Sequence, residues 1–185
     1  TLKEEKPLGM VAGPFTDAQA SEFLNHEQFF PMPLGARIEK DKIRSTSDGT
    51  APGMNHRIQT NCTTRIPLPG IQDARQGLSI GNRDRIPIGM LQIDFSKAHR
   101  RIPIKRKDWK YLVSRVMLDI WINLVGTYGI ASAQFYWGRM AGLILRLIYQ
   151  LGPELLSDPR TWRWFLIYVD DLIAFFHLAH MWEEA

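Results

Sequence analysis

The chain has 185 residues, 45% of them hydrophobic and 23% charged, which excludes a disordered polypeptide and allows one large domain or two small lobes. A formal net charge of +4 permits a polyanionic partner without requiring one. The single cysteine, Cys62, excludes an internal disulfide and favours a reducing intracellular compartment, either cytoplasmic or nuclear.

The N-terminal part of the chain is rich in Gly and Pro and carries few periodic segments. A short helix is predicted after Thr16 or Asp17, since either side chain can cap it. Residues 35–48 alternate charged residues with small or apolar ones, which predicts two exposed strands or a flexible hairpin. The charged residues suit a solvated sheet edge as well as they suit a phosphate site. Residues 49–89 contain repeated Pro and Gly and predict a long irregular loop.

A strand is predicted over residues 90–95, with Asp94 at its end. A charge run is most often a solvated face, but one that directly follows a strand-end carboxylate favours a phosphate-bearing ligand. The basic residues that follow Asp94 are Lys97, His99, Arg100, Arg101, Lys105, Arg106, Lys107 and Lys110.

Alternation over residues 111–125 predicts a pair of strands, and residues 127–129 predict a turn. A helix is predicted over residues 131–151, stopped by Gly152-Pro153. Gly138, Ala141 and Gly142 share one face of that helix and predict the close approach of another backbone.

Near the C-terminus, two short apolar runs flank Asp170 and Asp171. They predict a hairpin with the two acids at its tip, where repulsion between the carboxylates favours a bound cation or proton. The alternative is a single apolar helix over residues 162–182, but in a membrane it would hold each acid at a cost of roughly 2.5–3.5 kcal/mol. The chain ends nine residues after Phe176, which predicts a fragment of a longer polypeptide.

Asp94, Asp170 and Asp171 are therefore the candidate chemical groups, although paired acids are common and spacing alone is weak evidence. Magnesium prefers a few carboxylates together with substrate phosphates, and two such ions can assist phosphoryl transfer. Three acids beside a basic rim thus describe a two-metal nucleotidyl-transfer site. The sequence has no Cys/His metal spacing, no phosphate-binding Gly-Lys-Ser/Thr loop and no Gly-x-Ser-x-Gly elbow.

The residues Tyr168-Val169-Asp170-Asp171 resemble the Tyr-x-Asp-Asp box of reverse transcriptases. The first catalytic motif of that family and the segment after it resemble residues 94–100, 102–104 and 108–109. Its Phe-Gly-Leu-x-Ser-Ala-Pro motif is similar to residues 128–134. Upstream, Lys42, Arg44, Asp48 and Asn55 resemble the fingers stretch. Residues 13–15 and 33–35 resemble the opening of retrotransposon-type members of the family, particularly the tyrosine-recombinase retroelements. The resemblance covers nearly the whole chain, with its motifs in the family's order.

The resemblance implies specific roles for individual residues. Asp94, Asp170 and Asp171 would be catalytic and would ligate two Mg²⁺ or Mn²⁺ ions, with the carbonyl of Phe95 as a further ligand. The incoming nucleotide would meet Arg44, Ala98, His99, Tyr128 and Gly129, and the primer and template would meet Tyr168 and Val169. His99 stands where the family usually has Tyr or Phe to exclude a ribose 2′-hydroxyl, which leaves the selection of deoxynucleotides over ribonucleotides open. Thr127 and Gln134 replace two prolines of the family's middle motif, which would loosen the nucleotide pocket.

The resemblance also implies an α+β right-hand polymerase fold. Residues 1–88 would form the fingers and 89–185 a ferredoxin-like palm core, an antiparallel sheet with packed helices, carrying a fingers insertion over about 103–130. The chain would stop before the thumb, with thumb and ribonuclease H domains in the full polyprotein. Its partners would be an RNA template, a DNA primer and dNTP, without a membrane. The alternatives are an RNA-templated RNA polymerase and an inactive or domesticated nucleic-acid-binding remnant.

Overall fold

A computed structural model of the chain describes residues 2–39, 42–61, 66–83, 85, 87–151 and 163–178. Its α-helices are α1 (Leu2–Glu5), α2 (Asp17–Phe23), α3 (Met54–Asn61), α4 (Ile71–Arg83) and α5 (Ala131–Leu151). Its strands are β1 (Val11–Phe15), β2 (Leu34–Glu39), β3 (Lys42–Ser47), β4 (Ile88–Asp94), β5 (Val113–Val116), β6 (Asp119–Asn123), β7 (Arg163–Tyr168) and β8 (Asp171–His177). Short 3₁₀ helices cover Ala98–Arg101 and Arg106–Tyr111. The fold is mixed α and β, with small sheets of antiparallel strands.

The chain divides into two compact units, each built from two separate stretches. The first is drawn from Thr1–Thr64 and Lys97–Tyr136, and the second from Arg65–Ser96 and Trp137–Ala185. The predicted boundary at residue 88 differs from this division, because residues 65–88 group with the second unit. The predicted insertion over about 103–130 groups with the first. The identification of these units as fingers and palm stays a prediction.

The first unit has its core under a three-stranded sheet in the order β1-β6-β5. The β5–β6 hairpin confirms the predicted strand pair, and its inward residues Val113, Ile120 and Ile122 are fully buried. Ala20 of helix α2 and Leu24, which directly follows the helix, pack in the same core cluster. Thr16 begins this helix as predicted, because its hydroxyl accepts a hydrogen bond from the Gln19 amide while the Gln19 side chain accepts one from the Thr16 amide.

Two further strands of the first unit, β2 and β3, form the predicted hairpin over residues 35–48. Strand β1 was not predicted, because Gly13-Pro14 interrupts it. It accommodates that pair as an edge strand of its sheet, with a shift of register between Ala12 and Phe15.

The second unit is built on a three-stranded sheet in the order β4-β8-β7, in which all neighbours are antiparallel. The predicted strand ending at Asp94 is confirmed as β4, an edge strand of this sheet whose residues from Met90 to Asp94 are exposed. Helix α5 spans the residues predicted for it. Its Gly138 lies under the Ile66 side chain, 3.3 Å from the position of an added Cβ, so a side chain approaches there instead of the predicted backbone.

One prediction about secondary structure is wrong, and one alternative is excluded. Residues 49–89 are not a long irregular loop, because they contain α3 and α4. The glycines of α4 suggested breaks in the chain, yet Gly77 and Gly81 are buried within the helix. The alternative of one apolar helix over 162–182 is also wrong, since residues 163–177 form β7, β8 and the turn between them.

Among the described residues, no helix is both long enough and apolar enough to cross a membrane. Cys62, the predicted helix stop at Gly152-Pro153 and residues 179–182 of the alternative helix lie outside the described residues.

Candidate functional site

The β7–β8 hairpin is closed by a two-residue turn of Val169 and Asp170, with Tyr168 paired to Asp171 across it. Only Asp170 thus lies in the turn, and Asp171 is the first residue of β8. Val169 has a φ of 55°, in the left-handed region, whereas Asp170 does not have a positive φ. Glycine is the usual residue at the first of these positions, and a β-branched residue there is strained.

Two hydrogen bonds hold this unusual turn in place. The indole N–H of Trp137 donates to the carbonyl of Val169, and the backbone N–H of Phe95 donates to the carbonyl of Asp170 at 2.7 Å. Trp137 is buried in α5, and its ring meets the Phe95 ring edge-on at a centroid distance of 5.5 Å. The turn is therefore fixed both to a helix and to the end of the neighbouring strand.

The strand register brings the three predicted acids together. Asp94 is the direct partner of Asp171 in the β4–β8 pairing, and Asp170 is the next residue along the hairpin. Since the Phe95 amide bonds to Asp170, Asp94 and Asp171 occupy the adjacent non-hydrogen-bonded position, where paired Cα atoms lie about 4.5 Å apart. Directly opposed side chains lie on the same face of a sheet, so these two carboxylates share one face.

The electrostatics of this arrangement are unfavourable without a counter-charge. Asp94 is exposed, while Asp170 and Asp171 are half-buried. Like charges directly opposite each other destabilise a strand pair, so the charges of Asp94 and Asp171 do not stabilise the pairing of β4 with β8.

The donor chemistry of the three acids fits Mg²⁺ or Mn²⁺, because both ions prefer oxygen ligands. Across the described residues, however, no group of three or more His, Cys, Asp or Glu side chains is gathered so that it could hold a metal ion. The backbone places the three positions side by side, but their side chains are not gathered around a common point. Their role as metal ligands stays a prediction.

Tyr168 and Val169, the predicted primer contacts, belong to the same hairpin as the acids. Tyr168 ends β7 with 51% of its side chain exposed, and Val169 is half-buried in the turn. Phe95, the predicted carbonyl ligand, directly follows Asp94.

The predicted nucleotide-binding residues lie in the other unit. Ala98 and His99 are buried in the 3₁₀ helix Ala98–Arg101. The Nε2 atom of His99 is 2.8 Å from Oε1 of Gln134, and its ring lies 5.1 Å from the ring of Tyr128. Arg44 lies in β3, opposite Arg37 in β2.

Tyr128 and Gly129 form a turn that is attached to the end of the β2–β3 hairpin. The Ser47 amide donates to the Tyr128 carbonyl at 3.2 Å, and a Cβ on Gly129 would lie 1.7 Å from the Ser47 carbonyl oxygen. Only glycine fits there, and its φ of 91° also favours glycine. The nucleotide-binding role of these residues stays a prediction.

The sequence did not indicate two residues that shape these regions. Trp137 fixes the acidic turn, but within an apolar helix it is indistinguishable from a core residue. Asn55 was noted only as part of a resembling segment. Its side-chain oxygen accepts a hydrogen bond from the Ala131 amide at 2.9 Å and its nitrogen donates to the Gly129 carbonyl at 2.8 Å, so it links the turn to the start of α5.

Comparison with known proteins gives support at the level of the fold. No protein-family model matches the sequence, and no curated protein does. Among solved structures, the chain is similar to the native crystal structure of the protease-reverse transcriptase of prototype foamy virus, with a TM-score of 0.54 and 11% sequence identity. The match covers 93% of this chain but only 18% of that chain. At this identity, the likeness shows a polymerase-like fold.

Proposed function

We propose that the chain contains the nucleotidyl-transfer core of an RNA-directed DNA polymerase from a retroelement. The observation that carries the proposal is the strand register that sets Asp94 opposite Asp171, with Asp170 in the adjoining turn. In a chain whose fold is similar to part of a protease-reverse transcriptase, an opposed acid pair is better explained by a cation site than by stability.

In this proposal Asp94, Asp170 and Asp171 hold two Mg²⁺ ions, with the Phe95 carbonyl as a further ligand. When bound, such ions help to activate an attacking hydroxyl and stabilise a leaving oxygen. The reaction is the attack of a primer 3′-hydroxyl on the α-phosphate of a dNTP, which releases pyrophosphate.

The protein's own contribution is to place the charged groups before substrate arrives. The Trp137 and Phe95 hydrogen bonds fix the turn that carries Asp170, and a fixed site loses little energy to rearrangement during the reaction. Arg44 is proposed to contact the triphosphate, since a guanidinium suits phosphate oxygens. Loss of one acid is therefore expected to be more damaging than loss of this single basic contact.

Divalent-cation binding tests the proposal without requiring turnover. Titration of the chain with Mn²⁺, followed by the paramagnetic resonance signal of the free ion, should show binding that is lost in Asp94→Asn and Asp170→Asn. The matched control is Asp119→Asn, which removes the same charge from an exposed strand end in the other unit. Equal binding by all four proteins would reject the metal assignment.

Primer extension tests the reaction itself. With oligo(dT) annealed to poly(rA), the chain, alone or joined to a thumb domain, should incorporate dTTP in the presence of Mg²⁺ or Mn²⁺. Asp170→Asn should abolish incorporation, and full activity in that variant would contradict the proposal. Preferential incorporation of ribonucleotides on the same template would favour an RNA-templated RNA polymerase. Salt-sensitive RNA binding without any synthesis would favour a non-catalytic remnant.

A further inference from the structure

The first unit contains a cavity of about 200 Å³ that is separate from the acidic hairpin. Phe23 and Leu24 give it an apolar lining, while Arg106, Lys107 and Lys110 give it positive charge. Its volume is about that of six or seven liquid-water molecules, so it suits one small group of a larger ligand. All three cations come from the 3₁₀ helix Arg106–Tyr111.

The charges around this cavity do not cancel. Lys110 forms an ion pair with Glu27, the one acid in the lining, and this hydrogen bond raises the pKa of Lys110 above its usual range. Lys110 is therefore protonated at neutral pH, and its charge balances that of Glu27. Arg106 and Lys107 are exposed, and within the described part of the chain neither forms an ion pair. The cavity thus has two cations available to an anion.

Aromatic rings are interleaved with these cations. Trp109 stacks on Phe23, with ring centroids 5.8 Å apart and an angle of 14° between the planes, and the Arg106 guanidinium lies 5.8 Å from the Trp109 centroid. Tyr111, at the end of the same helix, is 45% exposed, and the Lys110 ammonium lies 5.2 Å from its ring centroid. Lys110 therefore connects the lining of the cavity to an exposed aromatic residue.

We propose that this cavity and Tyr111 form a binding site for single-stranded nucleic acid. Arg106 and Lys107 contact backbone phosphate at the cavity, and a neighbouring base stacks on Tyr111. Cations beside an exposed ring are the combination by which proteins hold single strands without sequence preference. An acidic peptide would use the cations but would gain nothing comparable from the ring. The inference goes beyond the proposed polymerase reaction and does not depend on it, because none of these residues belongs to the acidic site.

Fluorescence anisotropy in the absence of divalent cations tests the site. The probe is a fluorescein-labelled oligo(dT) of about twelve nucleotides, within the span of known single-strand sites. Its affinity is measured between about 50 mM and 200 mM salt for wild type and for Arg106→Gln/Lys107→Gln. Each phosphate contact on a single strand contributes about −0.7 to the slope of log affinity against log salt, so the double variant should make that slope about 1.4 less negative.

The matched control is Lys3→Gln/Lys6→Gln, which removes the same charge from exposed positions of the same unit. The control should keep the wild-type slope, and equal slopes for the two double variants would overturn the proposal.

Tyr111→Ala should weaken binding at least about five-fold, whereas Tyr111→Phe should keep it. Equal binding by both Tyr111 variants would overturn the stacking contact, and competition by polyglutamate as effective as that by unlabelled oligo(dT) would show a site for acidic polymers instead. Because Mg²⁺ is absent, failure here is distinct from failure of the polymerase proposal.

Discussion

Val169 combines a β-branched side chain with a φ of 55°, a conformation that costs of order 1–3 kcal/mol. Strain of this kind persists only where the surroundings impose it. Here the Trp137 indole and the Phe95 amide bond to the two carbonyls of the turn. The strained residue directly precedes Asp170, so the bonds that hold Val169 also fix the position of the acid.

Trp137→Phe removes the indole donor and keeps an aromatic ring. It should lower the free energy of unfolding by about 1–3 kcal/mol, because the Val169 carbonyl loses its partner. Urea denaturation measures the change. Trp121→Phe is the matched control, since it removes a similar ring area from another buried tryptophan. If both substitutions have the same effect, the indole–carbonyl bond does not hold the turn.

Asn55 stabilises its surroundings through the two ends of one amide group. Asn55→Ala should lower the free energy of unfolding by about 1–2 kcal/mol, because it leaves the Ala131 amide and the Gly129 carbonyl without that partner. Asn55→Asp keeps the acceptor for Ala131 and should recover part of the loss. Thermal unfolding followed by circular dichroism distinguishes them, and an alanine variant as stable as wild type would contradict this role.

At the scale of elements, α4 packs closely against β7 because Gly77 has no side chain. A Cβ added to Gly77 would lie 2.6 Å from Cδ1 of the Trp164 indole, inside contact distance. Gly142 in α5 has no neighbour within 4 Å of the same position. The close contact with Trp164 thus requires glycine at position 77, whereas no contact requires it at position 142. Substituting alanine at each position tests this difference.

Gly77→Ala should destabilise the second unit despite the better helix propensity of alanine, because the indole ring must move. Gly142→Ala should stabilise it by about 0.5–1 kcal/mol, since alanine gains the propensity without a clash. Chemical denaturation of both variants measures the two changes. Stabilisation by both substitutions would show that α4 is not held closely against Trp164.

These elements also show which parts of the fold a single sequence predicts. Helix α5 and the β5–β6 and β7–β8 hairpins follow from local periodicity and turns, so they were predicted. Helix α4 was missed because Gly77 is selected by its contact with Trp164, far along the chain, and local rules interpret it as a break. Strand β1 was missed for a similar reason, since Gly13-Pro14 is acceptable only because that strand lies at a sheet edge.

At the scale of the whole molecule, the acidic site is assembled from distant parts of the chain. Residues from Lys97 to Tyr136 belong to the first unit, and the chain returns to the second unit at Trp137. The pairing of β4 with β8 therefore joins strands that are separated in sequence by this whole segment. The sequence singled out Asp94, Asp170 and Asp171 as candidates, since their residue types and flanking runs are local properties. It could not supply the register that sets Asp94 opposite Asp171, because register depends on how the two strands meet.

The opposed acids predict a trade between stability and cation binding. In a chelator at neutral pH, Asp94→Asn should raise the free energy of unfolding of the second unit by about 0.2–1 kcal/mol, because it removes a like-charge pair. With Mg²⁺ or Mn²⁺ present, wild type should gain stability as the ion concentration rises above its dissociation constant, and the variant should gain much less. Calorimetric melting with and without the ion measures both effects, and Asp119→Asn should follow wild type. An ion-independent wild-type transition would contradict the cation site, whereas a variant less stable than wild type in chelator would show that Asp94 has a structural role instead.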